Sequence, residues 1–124
     1  KLMSKERNIK LAVYGTLRNG SENTGIVERS SLVYPGHKNF PAVIQNDKGA
    51  GTVVEVHNVS EEDLSRYDMY EGVDSGLYRR VMVQIEMDSG EEEEAWMYVA
   101  GDEMMQRSNS FRVIQSGDWY NRKL

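Results

Sequence analysis

The sequence predicts an α+β fold in which a small sheet of about five to seven strands, with one or two short helices, closes into a mixed barrel. Three observations point there. Short runs rich in aliphatic and β-branched residues recur along the chain, bounded by Gly, Pro, Asn or Asp, from Ile9–Tyr14 to Glu93–Ala100. Only one segment, opening at Ser60, carries a strong helix start. A sheet with so little helical cover would expose its edges, and curling into a barrel removes them.

Ile9–Tyr14 is a compact apolar run that stops at Gly15, which reads as a buried strand. Asn19–Ser30 is polar and contains Gly20 and Gly25; Asn23 or Thr24 could cap a short helix through Arg29. Leu32–His37 and Ala42–Gln45 are short extended segments separated by a turn at Asn39–Pro41, and Asn46–Gly49 is a further turn. Gly51–Val59 alternates as a strand, with Val54 and Val56 on one face and Val53 and Glu55 on the other. The Ser60 hydroxyl can cap the amide of Glu62 or Asp63, while three carboxylates at Glu61, Glu62 and Asp63 complement the positive helix end, so a helix runs to about Tyr70. Its apolar face holds Leu64 and Tyr67, with Met69 as a further candidate. Leu77–Met87 and Glu93–Ala100 form a hairpin through Asp88-Ser89-Gly90, with Val81, Val83 and Ile85 on the opposite face from Met82, Gln84 and Glu86. From Gly101 onward the chain reads as irregular, closing on a Ser116–Trp119 turn.

A length of 124 residues is that of one domain, 1–124, able to bury about two thirds of its unfolded surface. Met3 reads as a natural start, with Lys1 and Leu2 as an added remnant. The apolar fraction is 39% and the charged fraction 28%, and a mean hydropathy of −0.65 is ordinary for a water-soluble globular protein. No apolar run approaches the ~18–20 residues of a membrane helix, and the polar start does not resemble a secretory leader, so a cytoplasmic location without membrane contact is expected. Zero cysteines excludes disulfides and thiolate catalysis, and two histidines without local ligand partners argue against zinc. A net charge of −5 without a basic stripe argues against nucleic acid as a partner. Glu91–Glu94 reads as a solvated strand edge, because consecutive strand residues point to opposite faces and cannot converge on one ion.

Two clusters carry chemistry. In Val13-Tyr14-Gly15-Thr16-Leu17-Arg18 a strand ends at a glycine and a hydroxyl residue, leaving backbone N–H groups that can converge on a small anion such as a carboxylate. The alternative is that Gly15 merely turns the chain. Neither phosphate-loop pattern, Gly-x-x-x-x-Gly-Lys-Ser/Thr or Gly-x-Gly-x-x-Gly, is present. In the second cluster Glu71 falls at the C-terminal end of the Ser60 helix. The helix dipole disfavours an anion there, and burial against Tyr67, Tyr70 and Tyr78 would raise its pKa further, toward that of a general base working near neutrality. The alternative is an ordinary surface turn residue. Tyr78 can turn its hydroxyl into a pocket or pack in the core, Arg18 can attract a carboxylate although an arginine just past a glycine turn is usually solvated, and Trp96 and Tyr98 share a face suited to barrel packing. Asp118-Trp119 reads as a C-terminal fastening, and His37 and His57 as ordinary strand residues.

The glycine loop, Asn23, Tyr70-Glu71-Gly72 with Tyr78-Arg79-Arg80-Val81, Ala95–Val99 and Ile114–Trp119 together resemble the gamma-glutamylcyclotransferase-like family, in order and over nearly the whole chain. The nearest likeness is to its short bacterial-type members and the gamma-glutamylamine cyclotransferase branch. The resemblance implies a mixed β-barrel with one or two helices and a cavity at the glycine loop. It implies that Tyr14, Gly15, Thr16 and Leu17 hold a gamma-glutamyl group, with Tyr78 beside them, and that Glu71 is the catalytic acid/base. The implied reaction closes the glutamyl group to 5-oxoproline, releases an amine or amino acid, and calls for no cofactor or metal. Some short members lack a carboxylate at this position, so a non-catalytic module binding a small carboxylate ligand is the alternative, and an interaction protein using Glu91–Glu94 is a third. The leaving-group pocket is expected from the loops at Gly20–Gly25, Asp74–Gly76 and Gly101–Ser110.

Overall fold

The computed structural model describes residues 9–123, so the expected start at Met3 and the Lys1-Leu2 remnant lie outside the described residues. Eight strands and two helices follow one another: β1 (Ile9–Val13), β2 (Thr24–Val27), β3 (Ser30–Pro35), β4 (Ala42–Gln45), β5 (Thr52–Val59), α1 (Glu61–Tyr70), β6 (Tyr78–Met87), β7 (Glu92–Ala100), α2 (Asp102–Arg107) and β8 (Phe111–Val113). Five of the strands close a barrel in the order β1-β5-β2-β6-β7. The barrel is mixed because β1 runs parallel to β7, through Leu11 opposite Trp96, while the other pairs are antiparallel. A second sheet, β4-β3-β8, lies outside the barrel's ladder.

Alternation along the barrel strands sorts apolar residues into two cores. Ala12, Val54, Val56, Val83, Ile85, Met97 and Val99 form the first, with Trp119 from the C-terminal segment. Leu11 and Val13, the intervening residues of β1, join Tyr78, Tyr98, Ala100, Leu64 of α1 and Met104 of α2 in the second. A period of two thus gives the barrel wall one face toward its interior and another toward the helices.

Ser60 caps α1 as its sequence demands: its hydroxyl accepts from the Asp63 amide at 3.0 Å, and the Asp63 carboxylate accepts from the Ser60 amide in return. Met69 is exposed and takes no part in the apolar face of this helix. Thr24–Val27 is a strand where a short helix was expected. Its backbone is claimed on both sides, by β5 and β6, and the Gly25 Cα sits so close to β6 that a Cβ would stand 2.7 Å from the Glu86 carbonyl oxygen. The segment after Gly101, expected to be irregular, instead holds α2, β8 and a 3-10 turn at Trp119–Asn121. In the Glu91–Glu94 run, Glu92, Glu93 and Glu94 lie opposite Glu86, Ile85 and Gln84 of β6; Glu93 pairs with Lys10 at 3.1 Å and Glu94 accepts from Gln84 at 3.0 Å.

Candidate active site

Where β1 ends, Tyr14 and Gly15 remain buried while Thr16 and Leu17 turn outward, and the Arg18 amide closes the turn on the Gly15 carbonyl at 3.0 Å. Gly15 is required by close approach, since a Cβ there would stand 2.7 Å from Cγ of Pro41. No described residue accepts a hydrogen bond from the backbone N–H of Gly15, Thr16 or Leu17. Free donors at a strand end form the kind of concavity that takes an anion.

The loop's shape is fixed from behind by Glu55. This β5 carboxylate is 0% exposed. It accepts from the Asn19 amide at 2.8 Å, the Gly20 amide at 3.2 Å and Arg18 Nε at 3.0 Å, with His57 Nε2 at 3.2 Å and the Tyr120 hydroxyl at 3.4 Å. Arg18 also donates to Asp118 at 2.7 Å, and its guanidinium lies 3.8 Å over the Tyr120 ring. Arg18 is therefore buried and paired where solvation was expected, and Asp118 fastens the C-terminal segment onto the loop, as its position suggested. Burial pushes the Glu55 carboxyl up, but the Asn19 amide, Arg18, Gly20 and His57 outweigh it and hold the pKa at about 2. Sequence reading missed Glu55 because alternation records only which face a residue occupies, not which distant donors meet it there.

Glu71 is the C-cap of α1, its amide bonded to the Tyr67 carbonyl at 2.8 Å, with Gly72 at φ 67° turning the chain away. Asp68 anchors this last turn. It accepts two bonds from Arg80, at 2.7 and 3.0 Å, and one from the Tyr98 hydroxyl at 2.7 Å, while the Arg80 guanidinium lies 4.4 Å over Trp96. A bidentate pair of this kind fixes orientation as well as distance.

The two clusters meet on one cavity of about 420 Å³. Tyr14, Gly15, Thr16 and Leu17 line it from the loop, Glu71 and Tyr70 from the end of α1, Leu77 and Tyr78 from the start of β6, and Phe40, Pro41 and Tyr98 complete it. All six residues singled out in the sequence, Glu71, Tyr14, Gly15, Thr16, Leu17 and Tyr78, thus border the same space. Tyr98, assigned to packing alone, also lines it. The three loops expected to form the leaving-group pocket do not: no residue of Gly20–Gly25, Asp74–Gly76 or Gly101–Ser110 borders the cavity, whose wall is supplied instead by the Phe40-Pro41 turn and Leu77.

The proton chemistry of the cavity is divided sharply. Burial raises the Glu71 carboxyl above its ordinary range. Burial likewise raises Tyr14, Tyr78 and Tyr98, so these phenols stay neutral at ordinary pH. Each phenolic proton is already committed, Tyr14 to the Tyr98 carbonyl, Tyr78 to the Pro41 carbonyl and Tyr98 to Asp68, all at 2.7 Å. Glu71 is the one cavity-lining carboxylate, and among the described residues no Lys, Arg or His lines the cavity with it.

Known proteins share this architecture. A crystal structure of an uncharacterized Pyrococcus horikoshii protein matches with a TM-score of 0.64 at 24% identity, over 90% of this chain and 89% of its own. That of a mouse AIG2-like protein matches with a TM-score of 0.66 at 22% identity, over 80% of this chain and 83% of its own. In sequence, a Methanocaldococcus jannaschii protein provisionally named a gamma-glutamylcyclotransferase is 38% identical over 96 residues, 69% of this chain and 79% of that protein. Residues 11–121 match the model of the family described as gamma-glutamyl cyclotransferase, AIG2-like, and the chain belongs to that family.

Proposed function

We propose that the protein is a cyclotransferase that converts the gamma-glutamyl group of an amide to 5-oxoproline and releases an amine or amino acid, with Glu71 as general acid/base. The observation that carries this reading is the isolation of Glu71: among the described residues it is the one carboxylate on the wall, its pKa is raised by burial, and the three buried tyrosines beside it, Tyr14, Tyr78 and Tyr98, have their protons engaged. A base with its pKa raised toward the working pH is what proton transfer between two nitrogens requires.

The substrate's alpha-carboxylate sits at the free amides of Gly15, Thr16 and Leu17, a role for which oriented N–H groups suffice. Glu71 removes a proton from the alpha-ammonium, and the freed amine attacks the gamma-carbonyl of the same molecule. The attacking nitrogen still carries two protons in the tetrahedral intermediate, which collapses as Glu71 gives the first proton to the departing nitrogen and takes the second from the ring nitrogen. That second proton leaves with the released amine as its ammonium, so one C–N bond forms, another breaks, and no proton is gained or lost overall. The nucleophile belongs to the substrate, so the protein's task is to fold the glutamyl chain into a five-membered approach. Intramolecular attack of that kind reaches effective molarities of about 10^5–10^8 M. The buried Tyr14, Tyr78 and Tyr98 walls exclude water and keep the folded conformer in place.

Mass-spectrometric detection of 5-oxoproline from a panel of gamma-glutamyl amides tests the reading. Wild type should release it, and Glu71→Gln should lower the rate by at least about a hundredfold, the general range for a lost acid/base. Release from no compound, or undiminished release by Glu71→Gln, would overturn it; binding without release would identify a carboxylate-binding module.

A further inference from the structure

The cavity changes character from its floor to its mouth. Tyr14, Tyr78 and Tyr98 at the floor are almost completely buried, whereas Leu17 is 41% exposed, Phe40 38% and Tyr70 82% at the mouth. Singly exposed apolar side chains are ordinary, but these three line one cavity together with Glu71, and an apolar cluster bordering a cavity marks a ligand groove. Glu71 supplies the only charge on the wall among the described residues. A leaving group bearing its own carboxylate would meet a like charge there with no cation to offset it.

From this gradient we infer that Leu17, Phe40 and Tyr70 form the subsite for the departing amine, and that the substrate is the gamma-glutamyl amide of an aromatic or bulky apolar amine that carries no carboxylate. The inference rests on the cyclotransferase reading and specifies its substrate class. The buried floor takes the glutamyl end, whose charged groups are met by loop amides and Glu71. The apolar mouth takes what leaves. Tyr70 and Glu71 are adjacent at the end of α1, so the residue that returns the proton to the amine neighbours the ring that packs against it.

The test compares kcat/KM for four gamma-glutamyl compounds, namely the methylamide, the phenethylamide, gamma-glutamylalanine and the epsilon-amide of lysine. The phenethylamide should exceed the methylamide by about tenfold or more, the scale on which apolar pockets discriminate size, and gamma-glutamylalanine should fall below the phenethylamide by a similar factor. Phe40→Ala and Tyr70→Ala should each lower the phenethylamide-to-methylamide ratio at least threefold, whereas Met69→Ala, which alters an exposed residue outside the cavity, should leave the ratio unchanged. Tyr70 is so exposed that its replacement carries little folding risk, which keeps the test decisive if Phe40→Ala is unstable. A wild-type ratio near one, a preference for gamma-glutamylalanine or the lysine amide, or ratios unmoved in both variants would overturn the inference while leaving the cyclotransferase reading intact. Release from none of the four overturns both.

Discussion

Replacing Glu55 by Gln should cost the fold more than any other isosteric change near the glycine loop. The carboxylate accepts bonds from Arg18, Asn19 and Gly20 simultaneously, with Tyr120 and His57 beside it. An amide offers one acceptor oxygen and turns its NH2 toward other donors, so at least one backbone N–H loses its acceptor and Arg18 loses the charge of one of its two carboxylate partners. The magnitude follows from the carboxyl's pKa, held at about 2 against an ordinary 4.5, a gap worth about 3 kcal/mol at ~1.36 kcal/mol per unit. Breaking a buried pair by removing one partner gives an independent figure of about 3–5 kcal/mol. At ~2.1 cal/mol/K per residue, a cost of about 3–5 kcal/mol would lower the melting temperature of a chain of 124 residues by roughly 12–19 °C.

The sign of the pH dependence is fixed by the same shift. A depressed pKa stabilises the fold fully above the unfolded value near 4.5 and loses that contribution as pH falls toward 2. The difference between wild type and Glu55→Gln, measured by urea unfolding followed in far-UV circular dichroism, should therefore be about 3 kcal/mol at pH 7 and shrink to about 1 kcal/mol at pH 3. A deficit below about 1 kcal/mol, typical of a solvated pair, or one that does not shrink in acid, would refute the reasoning.

Two further outcomes follow from the site. Gly15→Ala places a methyl 2.7 Å from Cγ of Pro41, so it should cost about 1–3 kcal/mol in urea unfolding and raise KM more than it lowers kcat. Glu71 has a raised pKa caused by burial, so its ionised form opposes folding: stability is full below pH 4.5 and declines as pH rises through the raised value. Glu71→Gln should then be catalytically inactive yet melt higher than wild type at pH 7, with the difference disappearing below about pH 4, and the wild-type kcat/KM should fall on the acid side at a pH above the ordinary carboxylate range.

The parts of the site legible in the sequence are those carried by chain neighbours. Gly15-Thr16-Leu17 at a strand end, and Glu71 at the end of a ten-residue helix opened by a Ser60–Asp63 capping box, are placed by the order of residues within a single element. Thr24–Val27 went the other way: its local capping residues suggest a helix, and ladders from β5 and β6 override them. The wall of the cavity was equally hidden, because Phe40 and Pro41 look like a spacer until the fold brings them to Gly15.

Glu55 shows why the hidden part had to be long-range. A loop that keeps the amides of Gly15, Thr16 and Leu17 free for a ligand cannot use them to hold its own shape. Its order must come from the residues that follow, and Asn19 and Gly20 give their amides to a carboxylate 36 and 35 residues later. Arg18 then ties the same point to Asp118, 100 residues on. A local clamp would have consumed those donors, so a loop that leaves them free is held in shape by anchors from elsewhere in the chain. The C-terminal turn at Trp119–Asn121 is structurally part of the anchor behind the loop at Gly15, although nothing in either segment's own sequence says so.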